Sequence, residues 1–178
     1  PAPAPAPPKK PPPPPCPPFT PQKQHPTTHA FIWPLPMAYT NGSTTLRVNA
    51  APRFFSGPQA SEFLRQAFER YQALTFPHGS DAGTTAGVNT VSGLEVSVAS
   101  TVEDDHPQLE TNESYELSVA VDGKATLHAT TVFGALRGLE TFSQLVVYDF
   151  EQAEYRLPFA PWAIRDAPRF AHRGLMIE

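Results

Sequence analysis

Seventeen acidic residues, six histidines and one cysteine are the side chains of this 178-residue chain with the widest chemical range. Two carboxylates facing one bond can divide the roles of proton donor and base or nucleophile between them. No pair here has a spacing that places it so. Asp104 and Asp105 are neighbours in a polar stretch, where consecutive side chains diverge, and Glu110 and Glu113 lie beside and within a sequon. The run Glu103-Asp104-Asp105-His106 therefore reads as a solvated turn rather than a metal site. His25, His29, His78, His106, His128 and His172 show no H-E-x-x-H spacing, so a zinc peptidase centre is unsupported. There is no G-x-S-x-G elbow and no phosphate-cradling glycine loop. No residue is assigned a catalytic, substrate-binding or metal-binding role. Cys16 cannot close a bridge within the chain; it is either free or paired with another segment or partner. The sequons Asn41-Gly42-Ser43 and Asn112-Glu113-Ser114 mark Asn41 and Asn112 for glycosylation if the chain enters the secretory pathway.

The elements that would position such residues fill only part of the chain. Fourteen of the 23 prolines fall within the first 26 residues. Proline lacks an amide donor and fixes φ, so residues 1–30 are expected to be a disordered or polyproline II tail. Pro5 to Lys10 fits a P-x-x-P-x-K ligand pattern, and a solvated spacer is the competing reading. The remaining length allows one domain and is too short for a complete (β/α)₈ barrel, which needs about 250 residues. A formal net charge of −4 and a pI near 5.9 give no reason to expect nucleic acid or an anionic membrane as partner. No apolar run approaches the roughly 18 residues of a membrane span.

From Phe31 the pattern becomes that of a folded domain. Phe31 to Pro36 is apolar but broken by proline, an extended opening segment. Thr44 to Val48 alternates, a short strand. Over Pro58 to Thr75, Phe63, Leu64, Ala67, Phe68, Tyr71 and Leu74 follow helical spacing and predict an amphipathic helix with an aromatic stripe in the core. Residues 77–92 read as a loop, and Leu94, Val96 and Val98 as a strand with one buried face. Tyr115 to Val121 and Lys124 to Thr130 form a hairpin, with Asp122-Gly123 supplying positive φ angles for a tight turn. Thr130 or Thr131 caps a helix running to Leu145. Gly134 and Gly138 each cost that helix up to about 1 kcal/mol, which implies a close approach of its backbone to a neighbour. The sum is an α+β domain: one small antiparallel sheet with two helices on one face.

Two stretches carry a resemblance. Glu113-Ser114-Tyr115-Glu116-Leu117, followed by Ala129 to Leu145 (ATTVFGALRGLETFSQL), strongly resembles the accessory domain of glycoside hydrolase family 20. Ile164 to Ile177 (IRDAPRFAHRGLMI) resembles the linker and first barrel strand of the same enzymes, and Phe31–Pro36 their "WPLP" opening. The resemblance runs from about Phe31 to the C-terminus and implies a zincin-like accessory domain over 31–150. It further implies a linker over 151–172 and the start of a truncated catalytic barrel over 173–178.

That family removes terminal β-linked N-acetylglucosamine or N-acetylgalactosamine from glycans and chitin fragments. The substrate's acetamido oxygen attacks the anomeric carbon, an Asp orients it, and the adjacent Glu is the acid/base. No cofactor takes part. By resemblance the chain is expected to be the non-catalytic front part of a secreted or lysosomal/vacuolar β-N-acetylhexosaminidase, inactive alone, with the barrel of the same enzyme as its partner and a homodimer open for the parent. Arg173 matches the family's earlier, non-catalytic arginine, and Glu178 stands where the family usually has Asp. The alternative from another class is a stand-alone glycan- or protein-binding domain.

Overall fold

The computed structural model describes residues 32–58, 61–78, 89–101 and 107–174. The proline-rich tail with Cys16, the 103–106 acidic turn and the final apolar run Leu175–Ile177 lie outside the described residues. Ten elements follow in the order β1 (Ala38–Val48), β2 (Phe55–Ser56), α1 (Glu62–Thr75), β3 (Thr90–Val91), β4 (Leu94–Ser100), β5 (Tyr115–Val119), β6 (Ala125–Thr131), α2 (Val132–Leu145), β7 (Val147–Asp149) and β8 (Glu154–Asp166). They build one 8-stranded sheet of order β2-β4-β6-β5-β8-β1-β3, with β7 on the flank of β8. Both helices cover one face. No helix among the described residues is long and apolar enough to cross a membrane.

The α+β class with two helices is as expected. The sheet, however, is mixed rather than wholly antiparallel: β4 runs parallel to β6, and the short β2 and β3 run parallel to β4 and β1. α1 lies in the crossovers from β2 to β4 and from β1 to β3, and such a return reverses no direction, whereas β4 and β6 are parallel because the chain passes from β4 to β5 and comes back between them through the hairpin as β6. The stretch 151–172, expected as a linker, takes part in the same sheet. Most of it is β8, which pairs antiparallel with both β1 and β5.

The hairpin forms as expected, with a different turn. Gly123 N donates to Ala120 O at 3.1 Å and Ala120 N to Lys124 O at 2.8 Å. This is a three-residue loop in which only Gly123, at φ 93°, takes a positive angle. In β5, Tyr115, Leu117 and Val119 are buried while Glu116 and Ser118 are exposed. α2 presses on the buried side, capped by Thr131, whose Oγ1 accepts from Gly134 N. Its glycines sit where the sheet comes closest. A Cβ on Gly134 would lie 2.5 Å from Ser114 O, and one on Gly138 2.2 Å from Leu127 Cδ1.

α1 starts at its cap Ser61, whose Oγ accepts from Leu64 N at 3.0 Å. Its buried line is Leu64, Ala67, Tyr71 and Thr75, with Phe68 half-buried. Phe63 and Leu74, expected in the core, lie on the flanks, because the helical period carries them about 100° off that line. Between helices and sheet, Phe54 packs against Phe55, Phe76 and Phe142 with ring centroids 5.0–5.6 Å apart.

Candidate functional site: a carboxylate latch at the chain exit

Glu113 precedes β5, and its side chain is only 8% exposed. A carboxylate desolvated to that degree must be paired. It accepts from Arg137 Nε of α2 at 2.6 Å, and both of its oxygens accept from Arg173 Nη2 at 2.8 Å. Arg173 follows β8 and also donates through Nη1 to Phe170 O at 2.6 Å. Burial opposes ionisation of Glu113, and the hydrogen bonds from Arg173 and Arg137 outweigh it, so its pKa lies below the ordinary 4.5.

Two residues on, the Tyr115 hydroxyl bonds to Thr141 Oγ1 of α2 at 2.6 Å and donates to Asp166 Oδ2 of β8 at 3.3 Å. Burial pushes that phenol above the ordinary tyrosine range. Asp166 Oδ1 in turn accepts from Met37 N at 3.0 Å. The stretches 113–117, 129–145 and 164–174, far apart in sequence, thus converge on one corner of the fold. Along the exposed side of α2, Arg137, Glu140 and Gln144 each hold a different element. Glu140 accepts from the Tyr71 hydroxyl of α1 at 2.8 Å; burial and this carboxylate push Tyr71 up to about 12. Gln144 clasps both backbone groups of Trp33.

This arrangement holds rather than reacts. Glu113 is doubly ion-paired and its pKa is lowered, so it has no proton to donate at neutral pH and no freedom to attack. Among the described residues no group of three His, Cys, Asp or Glu could hold a metal. His128 bonds Ser97 Oγ through Nδ1 at 2.5 Å on the exposed sheet face, His78 packs in a tilted ring contact against Tyr148, and His172 is exposed. His25, His29, His106, Asp104 and Asp105 lie outside the described residues. Of the two sequon asparagines, Asn112 adjoins the latch: its Oδ1 accepts from Ser114 N at 2.9 Å and its carbonyl from Thr131 Oγ1 at 2.6 Å. Asn41 stands apart on β1. Sequence reasoning gave Arg173 a structural role but missed its partner. No local signal singles out Glu113 and Arg137, since the same two motifs also carry Glu116 and Glu140.

A family model described as beta-acetyl hexosaminidase like matches residues 32–145. The chain belongs to the family 20 β-hexosaminidases. Among curated relatives, Beta-hexosaminidase 1 of Arabidopsis thaliana is 36% identical over 162 residues, covering 83% of this chain and 30% of the relative. Beta-hexosaminidase subunit beta of Sus scrofa is 36% identical over 157 residues, 83% of this chain and 28% of its own length. The chain thus spans under a third of the β-hexosaminidases it matches. The fold is also that of Flavobacterium johnsoniae chitobiase, at TM-score 0.59 and 24% identity over 82% of this chain and 22% of that one. The matched region corresponds to the family's N-terminal accessory domain.

Proposed function

We propose that this chain is the accessory part of a secreted or lysosomal/vacuolar β-N-acetylhexosaminidase. The enzyme would remove terminal β-linked N-acetylglucosamine or N-acetylgalactosamine from glycans and chitin oligomers by substrate-assisted retaining catalysis, an exception to the two-carboxylate scheme. In this reading the Asp-Glu pair and the sugar pocket belong to a (β/α)₈ barrel outside residues 1–178, without a cofactor. The tail is 1–30, the accessory domain extends to Asp166, 167–172 is the linker, and the barrel's first strand begins at Arg173. Asn41 and Asn112 carry glycans.

The observation that carries the reading is the latch. Glu113 ties the segment leaving β8 back to α2, so whatever follows Arg173 starts from a fixed position. A domain that served only to bind a ligand would have no use for a buried carboxylate spent on its own exit segment. Exposed apolar residues support the same view. Leu74 on α1 and Trp33, Leu35 and Met37 in the segment before β1 stand 50–83% exposed, and the backbone of Trp33 and Met37 is pinned by Gln144 of α2 and Asp166. Such a preformed apolar face marks a docking site.

The test is enzymatic. Residues 1–178 alone should not turn over a β-GlcNAc aryl glycoside, whereas the protein containing the barrel should, with anomeric retention. Turnover by the 178-residue chain that survives removal of contaminating hexosaminidase would overturn the assignment of catalysis to the barrel.

A further inference from the structure

We propose that a glycan on Asn41 guards the open edge of β1 against strand pairing with a second copy of this chain. The inner edge of β1 is taken by β8 from Ala38 to Val48, whereas β3 covers only Arg47 and Val48 on the outer side. Among the described residues, Ala38–Leu46 therefore presents backbone N–H and C=O groups that no strand satisfies. Rows of this kind template pairing between molecules, and proteins blunt them with lysine, proline, bulges or a cover. The segment reads AYTNGSTTL, without a charge or a proline. Its Ser43, Thr44 and Thr45 are exposed and suit an extended strand. Register shifts between Asn41 and Thr44 and between Thr44 and Leu46 are its only internal guard.

Asn41 stands at the first of these shifts, in the middle of the open edge. Its Nδ2 donates to Gly42 O at 3.2 Å. N-glycosylation replaces one of the two amide hydrogens and leaves the other, so the modified side chain keeps a donor on Nδ2. Gly42 cannot give way to anything larger, since a Cβ there would lie 2.4 Å from Ala160 O. The register shift beside Asn41 is therefore fixed by contact with β8. A bulky, hydrated glycan attached at this point fills the space that an incoming strand needs.

The inference rests on the reading that the chain passes through the secretory pathway, and Asn112 provides the internal control. The chain would be produced in a secreting eukaryotic host, its glycopeptides mapped, and the wild type compared with Ser43→Ala, which removes the sequon, and Ser43→Thr, which keeps it. Ser43 is exposed, so neither change disturbs the core. Asn41 should be occupied, and the wild type and Ser43→Thr should sediment as monomers. Ser43→Ala should associate with rising concentration, with amides of residues 38–45 gaining about tenfold or more protection from hydrogen exchange. A monomeric Ser43→Ala, or association without protection at 38–45, overturns the proposal. So does an occupied Asn112 beside a bare Asn41, which leaves the secretory reading standing. If both are bare, the two fall together.

Discussion

Glu113 shows how one buried charge can organise a corner of a fold. Removing one partner of a buried ion pair strands the other, and the penalty exceeds what the pair itself contributes. Arg137 and Arg173 are 55% and 38% exposed, which screens them and lowers the figure. Glu113→Gln should therefore cost about 2 kcal/mol, seen as a fall in Tm of about 5–10 °C. The pH dependence has a definite sign. The folded pKa of Glu113 is depressed, so its contribution is fully present above the ordinary 4.5 and is lost as pH falls through the lower folded value. The gap in Tm between wild type and Glu113→Gln should thus be constant near neutrality and close in acid; a gap that widens in acid would mean that Glu113 is not the ionised acceptor. Gly134 tests the same corner. Alanine gains up to about 1 kcal/mol of helix propensity, but its Cβ would meet a backbone carbonyl that cannot turn aside, and overpacking costs about 1–3 kcal/mol. Gly134→Ala should be net destabilising and should loosen Arg173, measured as faster exchange of the 170–174 amides. The need for small residues at 134 and 138 was legible in the sequence, because glycine inside a helix demands a cause. The partner of Glu113 was not, since nothing local says that an acid near residue 113 will meet an arginine 60 positions on.

At the scale of elements, the hairpin and α2 were legible for the same reason: each signals itself by local periodicity and by its own turn or cap. β8 was not. Its buried residues are Tyr155, Leu157, Ala160, Trp162 and Ile164, so the alternation slips by one residue between Leu157 and Ala160. At the slip stands Phe159, at φ 62°, directly after Pro158 and two residues before Pro161. Proline inside a run argues against a central strand. Here the irregularity is absorbed by matching register shifts in β1, a pairing that only the tertiary structure reveals. The parallel β4–β6 pair escaped notice likewise, because strand direction follows from connections rather than from composition. The position of β8 makes a testable boundary. Ending the domain at residue 150 would remove a central strand that buries a Trp, a Tyr, a Leu and an Ile, each worth about 1.5–3 kcal/mol. Together that is about 6–12 kcal/mol, comparable to the 5–15 kcal/mol by which whole domains are stable. A chain of residues 32–150 should not unfold cooperatively, whereas 32–174 should; a sharp calorimetric transition for the shorter chain would show that β8 is an accessory and not a core strand.

Viewed as a whole, the molecule has two unlike faces, and the difference predicts which one would be covered in the full-length enzyme proposed above. A two-layer domain with one bare sheet face invites the expectation that the bare face docks. Its outward residues are Glu95, Ser97, Glu116, Ser118, His128 and Arg165, with Arg165 paired to Glu116 at 2.5 Å, a surface that is content in water. The segment before β1, held to α2 by Gln144, carries the contrary signature. Trp33 is 83% and Met37 68% exposed on a backbone held from both ends, so the ordering entropy of that segment is already met before any partner arrives. The latch at Glu113 sends the chain out at the same corner, since Asp166 binds both Met37 N and the Tyr115 hydroxyl. Hydroxyl-radical footprinting can decide the matter, because Met and Trp are readily oxidised when solvated. In the 178-residue chain Met37 and Trp33 should be modified quickly. In the protein that includes the barrel both should be protected about tenfold, the effect of removing a side chain from water at a packed interface, while His128 on the bare sheet face keeps its reactivity. Equal oxidation of Met37 in both proteins, with His128 protected instead, would place the barrel against the sheet and leave the apolar ridge for some other partner.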